Sequence, residues 1–541
     1  MFVKQGAFDG PLFISVSPHI FGKYYKVNSF LAVVIFSPKY SASFLIKQVI
    51  PLRLLLTETK PYFIMRRAEI IAKGLSLAGY ANLKIYQFLK HFITLRKISS
   101  FIFAMFSVFF IASCDPGIFD GPRGEDIPAN QTRKYPADVA VQWTNLQQHL
   151  IKTTPGFDPL VASRSFGYSG LTLYESVVKG MPGYRSIVSQ RMGKEINAVP
   201  KPQSIYWPAS ANAAMAQILK NLFANTSVAN MDKIDSLESA FHLQFQNEVP
   251  IAWVIQSADY GKEIATHIFE WSKTDGGHEA YLSATNSDYV TPIGPGMWVP
   301  TSPAFPQPIR PYWGNNRSFV PNSALITLPP PPPAYSEEPG TEFHEVADQV
   351  YTISLSLTPE EISIAKTWAD MPGNYGTPAH YTHIATQLIL ENQFKLDKAA
   401  LAYAKHGMAL YEATISVFKA KYTYNLIRPI SYIHSVFEQA SWNTVIGTPP
   451  HPEYPSAHAV IGGASCVVLE SFFGKNYSFT DRTHENLYGA RVYPNLKAYA
   501  VEASYSRILG GIHFDFSAKI GLIQGESVGK LVNKLPFKNN S

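Results

Sequence analysis

The sequence predicts an all-α fold, helical bundles packed in one body, and three observations carry that expectation. Apolar residues recur at three-to-four spacing in successive windows between residues 139 and 271, and again after residue 345. Helix-start chemistry accompanies them, most completely at Thr358-Pro359-Glu360-Glu361, where an N-cap, a proline at the first helical position and a capping-box glutamate coincide. No segment alternates apolar and polar residues as a half-buried strand would, and no internal repeat of fixed period is visible.

The chain of 541 residues opens with a basic stretch. Residues 1–97 hold 14 lysines and arginines against only Asp9, Glu58 and Glu69, so the rest of the chain is mildly acidic although the net charge is +6. An acidic body argues against nucleic-acid binding. Arg96-Lys97, an apolar run over 98–110 and the small residues before Cys114 together make a secretory signal. Because it ends on cysteine, it resembles the lipobox of bacterial lipoproteins, in which the cysteine is lipidated. The expectation is an exported protein of the bacterial cell envelope, attached to membrane only through a lipidated Cys114. The signal occupies 95–114, so residues 1–94 read as an extension from a misassigned start, with a membrane-associated extension as the alternative. A polar leader follows over 115–134 and the helical body spans 135–541.

Within the body, Val139, Ala140, Val141, Trp143, Leu146 and Leu150 form the first apolar stripe, and 165–178, 211–223, 231–245 and 258–271 read as further helices. Residues 272–341, with Gly276-Gly277, Pro292, Pro295 and the proline run 329–333, break the pattern. This Pro-rich excursion is expected to wrap the surface and trap Trp298, Tyr312 and Trp313. Residues 395–421 read as a long alanine-rich helix, and Cys466, in the apolar run 460–473, as a buried inert thiol.

Three short motifs carry chemistry. Lys421 and Arg428 are seven residues apart, close to two helical turns, so they can share one face, with Pro429 ending that helix. Pro455-Ser456-Ala457-His458 leads from a proline-rich loop into an apolar helix closed by Gly474, with Ser456 placed to cap it and the first amides facing outward where anions bind. Ser506-Arg507 and His513 flank Gly510-Gly511, whose kink can turn both side chains toward one centre. Singly, each motif also suits a solvated or merely capped helix. Together they offer two arginines, a lysine, helix-terminal amides and two histidines, an inventory for a tetrahedral or trigonal-bipyramidal oxyanion.

The order and spacing of these motifs resemble the superfamily shared by vanadium-dependent haloperoxidases and type-2 phosphatidic acid phosphatases. The likeness extends over most of 135–535, and the body's length resembles the bacterial haloperoxidase branch. That resemblance implies roles. Lys421, Arg428, Ser456, the Ala457 amide and Arg507 would hold vanadate, with phosphate as a competing oxyanion. His513 would bond the metal, and Lys421, His458 and His513 would be catalytic, His458 as the acid–base group. Hydrogen peroxide and halide would be the substrates, and a homodimer is left open. His451 and Phe418 fall where relatives tune halide preference. Two departures stand out: Ala457 replaces a glycine, and Ser517 stands where the family often has the aspartate that partners the last histidine, so His513 needs another partner. The alternatives are an acid phosphatase acting through a phosphohistidine and a non-catalytic envelope lipoprotein.

Overall fold

The structure, a computed structural model, describes residues 130–188, 204–370 and 376–539. The extension 1–94, the signal with Cys114 and residues 115–129 of the leader lie outside the described residues.

The described chain is helical apart from one small sheet. Helices α1 (Asp138–Thr153), α2 (Pro159–Glu175), α3 (Trp207–Leu222), α4 (Val228–Phe245) and α5 (Ile251–Ser272) match the apolar stripes of the sequence. After the irregular excursion, which contains two three-residue 3-10 turns (Ala280–Leu282 and Trp313–Asn315) and the four-residue α6 (Ser323–Ile326), come α7 (Glu342–Ser354), α8 (Pro359–Thr367), α9 (Thr377–Glu391), α10 (Leu396–Tyr424) and α11 (Pro429–Ser435). The last third holds α12 (Ala457–Phe473), β1 (Phe479–Asp481), α13 (Glu485–Tyr488), β2 (Arg491–Tyr493), α14 (Leu496–Leu509) and α15 (Asp515–Asn533). The strands pair antiparallel, Thr480 opposite Val492. They are too short for alternation to be legible in sequence. The capping box at Thr358 forms as expected, with the Glu361 carboxylate accepting from Thr358 N at 2.8 Å. No described helix is long and apolar enough to cross a membrane.

The long α10 is the axis of the fold. Its 29 residues, about 43 Å at 1.5 Å per residue, pack against α2 on one side and α12 on another. Small residues make this approach possible. A Cβ at Gly407 would lie 2.2 Å from the Phe166 carbonyl oxygen, so only glycine lets α10 and α2 meet backbone to backbone. At the other end, α12 packs on α14 and α15, and a Cβ at Gly525 would lie 2.0 Å from the Val460 oxygen. Cys466 is buried in this interface and is a free thiol.

The excursion is ordered by polar anchors. Arg310 pairs with Asp158 at 2.6 Å and donates to the Ala280 and Ser283 carbonyls. The buried Glu412 of α10 accepts from the amides of Phe319 and Val320 and from the Ser323 hydroxyl. Trp298 and Trp313 are buried as expected, but Tyr312 is 41% exposed, because its hydroxyl reaches Asp288 at the surface.

Candidate active site

The three motifs meet around α12. Helix α10 delivers Lys421 on its last turn, fully buried, with Nζ donating to the carbonyls of Pro452 and Glu453 at 2.8 Å each. The helix does not continue to Arg428. It ends at Tyr424, where Asn425 takes the left-handed conformation at φ 47°. Pro429 therefore does not terminate it but opens α11 at the first helical position, with Arg428 as N-cap. The shared-face expectation is corrected: a loop, not two helical turns, brings Arg428 beside Lys421. The excursion backs this loop, since Trp298 N donates to Asn425 O at 2.6 Å and Ile427 N to Gly296 O at 2.8 Å.

Arg428 is fully buried and fixed by carbonyls: Nε donates to His451 O at 3.0 Å and one terminal nitrogen to Ile512 O at 2.8 Å. The same nitrogen lies 3.3 Å from His513 Nε2. Arg507, on the last turn of α14, donates to Trp368 O at 2.7 Å and keeps its Nε buried without a partner. Gly510 and Gly511, the latter at φ 75°, then turn the chain so that His513 sits just before α15.

Ser456 occupies the N-cap position of α12, yet its hydroxyl caps nothing and is buried without a partner. This corrects the capping expectation and leaves the hydroxyl available to a ligand. Ala457 begins the helix with ordinary backbone, so the glycine it replaces is not needed for a positive φ here. The first amides of α12 have no acceptor within the helix.

His513 finds its partner in Glu453, which sequence reasoning missed. Nδ1 lies 2.8 Å from Glu453 Oε1, an oxygen that also accepts from Phe514 N at 2.9 Å. Ser517, at the position of the absent aspartate, is 3.4 Å from the same Nδ1. Glu453 stands three residues before Ser456, in the proline-rich loop that leads into the second motif, which was the available signal. With Nδ1 as donor to the carboxylate, Nε2 keeps its lone pair for a ligand.

His458, on the first turn of α12, has Nε2 within 2.9 Å of Thr377 Oγ1 and 3.5 Å of Asp370 Oδ2. Neither partner was foreseen, because single residues 81 and 88 positions away carry no pattern. His451 is buried, not solvent-facing, with Nδ1 3.0 Å from Arg428 and its ring 5.2 Å from that of Phe418.

The electrostatics share one cause. Burial and the charge of Arg428 push the Lys421 amine well below its ordinary value, and burial draws both Arg428 and Arg507 down to about 10. Burial, with Arg428, Lys421 and Arg507 adding to it, holds the His513 imidazole well below its usual range. Burial and then Arg507 lower His458 to about 4, against the pull of Asp370. Burial raises the Glu453 carboxyl to about 7. Among the described residues, none of Lys421, Arg428 and Arg507 has a carboxylate within ion-pair distance. Three dry cations without a paired anion, plus unpartnered donors at Ser456 and Arg507, fit a bound oxyanion.

Comparison with known proteins bears on the same region. Residues 402–538 match the family model of the VCPO second helical-bundle domain. No curated protein matches. The structure of the first bacterial vanadium-dependent iodoperoxidase is similar at TM-score 0.69 and 30% identity, covering 75% of this chain and 99% of that one. The apo and holo forms of a bacterial vanadium-dependent chloroperoxidase share the fold at TM-scores 0.56 and 0.54, each 14% identical, covering 71% of this chain and 94% and 93% of theirs.

Proposed function

The chain belongs to the vanadium-dependent haloperoxidases, and from that premise we propose that it is an oxidoreductase using hydrogen peroxide to oxidise halide to hypohalous acid, with iodide as a substrate. The carrying observation is the gathering of Lys421, Arg428 and Arg507, none paired with a carboxylate among the described residues, around His513, whose Nε2 lies on the side away from Glu453 and meets only Arg428 at 3.3 Å. The iodide assignment is supported by the likeness to the bacterial iodoperoxidase.

Vanadate would be held by Lys421, Arg428, Arg507, the Ser456 hydroxyl and the Ala457 amide, with His513 Nε2 as its protein ligand. When bound, it supplies a Lewis acid that polarises peroxide without changing oxidation state. The chain's own residues do the rest. Glu453 fixes the tautomer and the ring orientation of His513 through Nδ1. Lys421, tied by two carbonyls, would have one N–H left for the anion in its ammonium form, which a bound negative charge favours. Burial favours the neutral form of His458, and Thr377 and Asp370 engage its Nε2, so Nδ1 would be the atom that accepts a proton from peroxide and gives it back. A phosphohistidine phosphatase would use the same donors, but the family relationship does not favour it.

The test is the full chain freed of phosphate and loaded with vanadate. Peroxide-dependent oxidation of iodide or bromide, lost in His513→Ala, is the expected result. Hydrolysis of an aryl phosphate by the phosphate-freed protein, with no halide oxidation after vanadate loading, would reverse the assignment. We also propose export to the cell envelope with lipid on Cys114, supported by the signal-type sequence at 95–114. Labelled palmitate incorporated by the wild-type chain but not by Cys114→Ala is the expected outcome, and equal labelling would refute it.

A further inference from the structure

Behind His458 lies a second buried cluster that the chemistry above does not use. His380, on the first turn of α9, is fully buried, and both its ring nitrogens face carboxylates. Nδ1 is 2.9 Å from Asp370 Oδ1 and Nε2 is 2.9 Å from Asp481 Oδ2. The other Asp481 oxygen accepts from the Thr483 amide and hydroxyl at 2.8 and 2.6 Å. Trp368 stacks on the His380 ring at 4.5 Å, and His484 Nε2 lies 3.3 Å from Asp370 Oδ1. The second oxygen of Asp370 is left 3.5 Å from His458 Nε2. Asp370 holds this position at φ 48°, a conformation uncommon outside glycine, so surrounding contacts must maintain it.

A neutral imidazole has one N–H and cannot donate to two carboxylates, so carboxylates on both sides call for the doubly protonated ring. Asp370, His380 and His484 could also be read as a metal site, since one ligand atom of each lies within 4.8 Å of the others. The His380–Asp370 separation decides against His380 as one of its ligands. A distance of 2.9 Å suits a charge-assisted hydrogen bond, whereas two nitrogen or oxygen ligands of one tetrahedral zinc, each at about 2.0 Å, stand about 3.3 Å apart.

We propose that His380 is a positioning residue for His458: clasped as a cation between Asp370 and Asp481, it fixes the carboxylate that faces His458. This rests on the reading of His458 as the acid–base group. His380 also offsets part of the Asp370 charge, which keeps His458 a neutral acceptor. The groups acting on His458 are Asp370, Thr377 and His380, with Arg507 from α14 and His451 from the preceding loop. Those acting on His380 are Asp370, Asp481, His484 and His383.

The experiment combines ring-nitrogen NMR of histidine-labelled full chain with the pH profile of halide oxidation by the vanadate-loaded enzyme. His380 should carry protons on both nitrogens to at least about pH 8, as a carboxylate-paired imidazolium does. The double variant H380Q/D481N removes the cation without stranding Asp481. In it the His458 titration and the acid limb of kcat should both move up by about one pH unit, with KM for peroxide unchanged. If that variant does not fold, Asp481→Asn alone should bring His380 into titration below about pH 8. A deprotonated His380 nitrogen at pH 7, an unmoved His458 titration, or one zinc ion bound per chain through His380 would each overturn the proposal. Wild-type turnover in His458→Ala would instead refute the acid–base reading, while the NMR titration would still judge the clasp.

Discussion

Replacing Arg507 by methionine separates an anion site from a structural cation. Arg507 is buried, donates once to the Trp368 carbonyl, and keeps Nε unpartnered. If its work is to hold an oxyanion, the variant loses a charge-assisted contact of about 1.5–3 kcal/mol, weakening vanadate about 10- to 150-fold. Vanadate at a hundred times the wild-type Kd stabilises the wild-type protein by about 2.7 kcal/mol. At the same concentration the variant should gain only about 0.3–1.3 kcal/mol. The unliganded variant should stay within about 1 kcal/mol of wild type, because removing a desolvated charge offsets the lost hydrogen bond. Calorimetric unfolding with and without vanadate reads both quantities. Equal stabilisation of the two proteins by vanadate would refute the reasoning, and so would a loss of more than about 3 kcal/mol in the unliganded variant.

Glu453→Gln should lower turnover at saturating vanadate about 10- to 100-fold, the usual cost of removing the partner of a ligating histidine. Steady-state iodide oxidation checks this, and a change within twofold would show that Glu453 does not set the His513 ring. His406, buried between α10 and α12 with Nε2 2.8 Å from Ser465 Oγ, is held by burial at about 3 against an ordinary 6.5. Its neutral form is the one the fold favours, so its contribution to stability is fully present above about pH 6.5 and is lost as pH falls toward 3. Urea unfolding between pH 7 and pH 4 should therefore lose stability less steeply in His406→Gln, and identical slopes would exclude the effect. For His458, lowered to about 4, the acceptor form persists above that pH and is lost below it. Halide oxidation should fall on an acid limb near pH 4, and a limb near 6.5 would contradict the burial that lowers it.

Much of the fold was legible because its signals are local. Stripes such as Val139 to Leu150 repeat at helical spacing, and the Thr358 box names its own start. The three motifs were legible because each is contiguous. What sequence reading missed is long-range or depends on one backbone angle. Lys421 and Arg428 look like helix neighbours until Asn425 turns left-handed, a conformation asparagine adopts readily and a clue that was present. Glu453 was hidden in the loop just before the second motif, and the serine at 517 already required a replacement for the missing acid. Asp370, the α9 pair Thr377 and His380, and Asp481 come from three parts of the chain and belong to no local pattern, so only the packing of α9 against α12 and β1 brings them together. The anchors Arg310 and Glu412 were equally silent, although the buried tryptophans of the excursion pointed to an ordered segment.

The most direct measurement is a crystal structure of the vanadate-soaked full chain with anomalous diffraction at the vanadium edge. One vanadium peak at bonding distance from His513 Nε2, ringed by Lys421, Arg428, Ser456 and Arg507, is the result expected. Vanadium elsewhere, or none while these side chains stay as they are, would mean that this buried cationic cluster is not an oxyanion site.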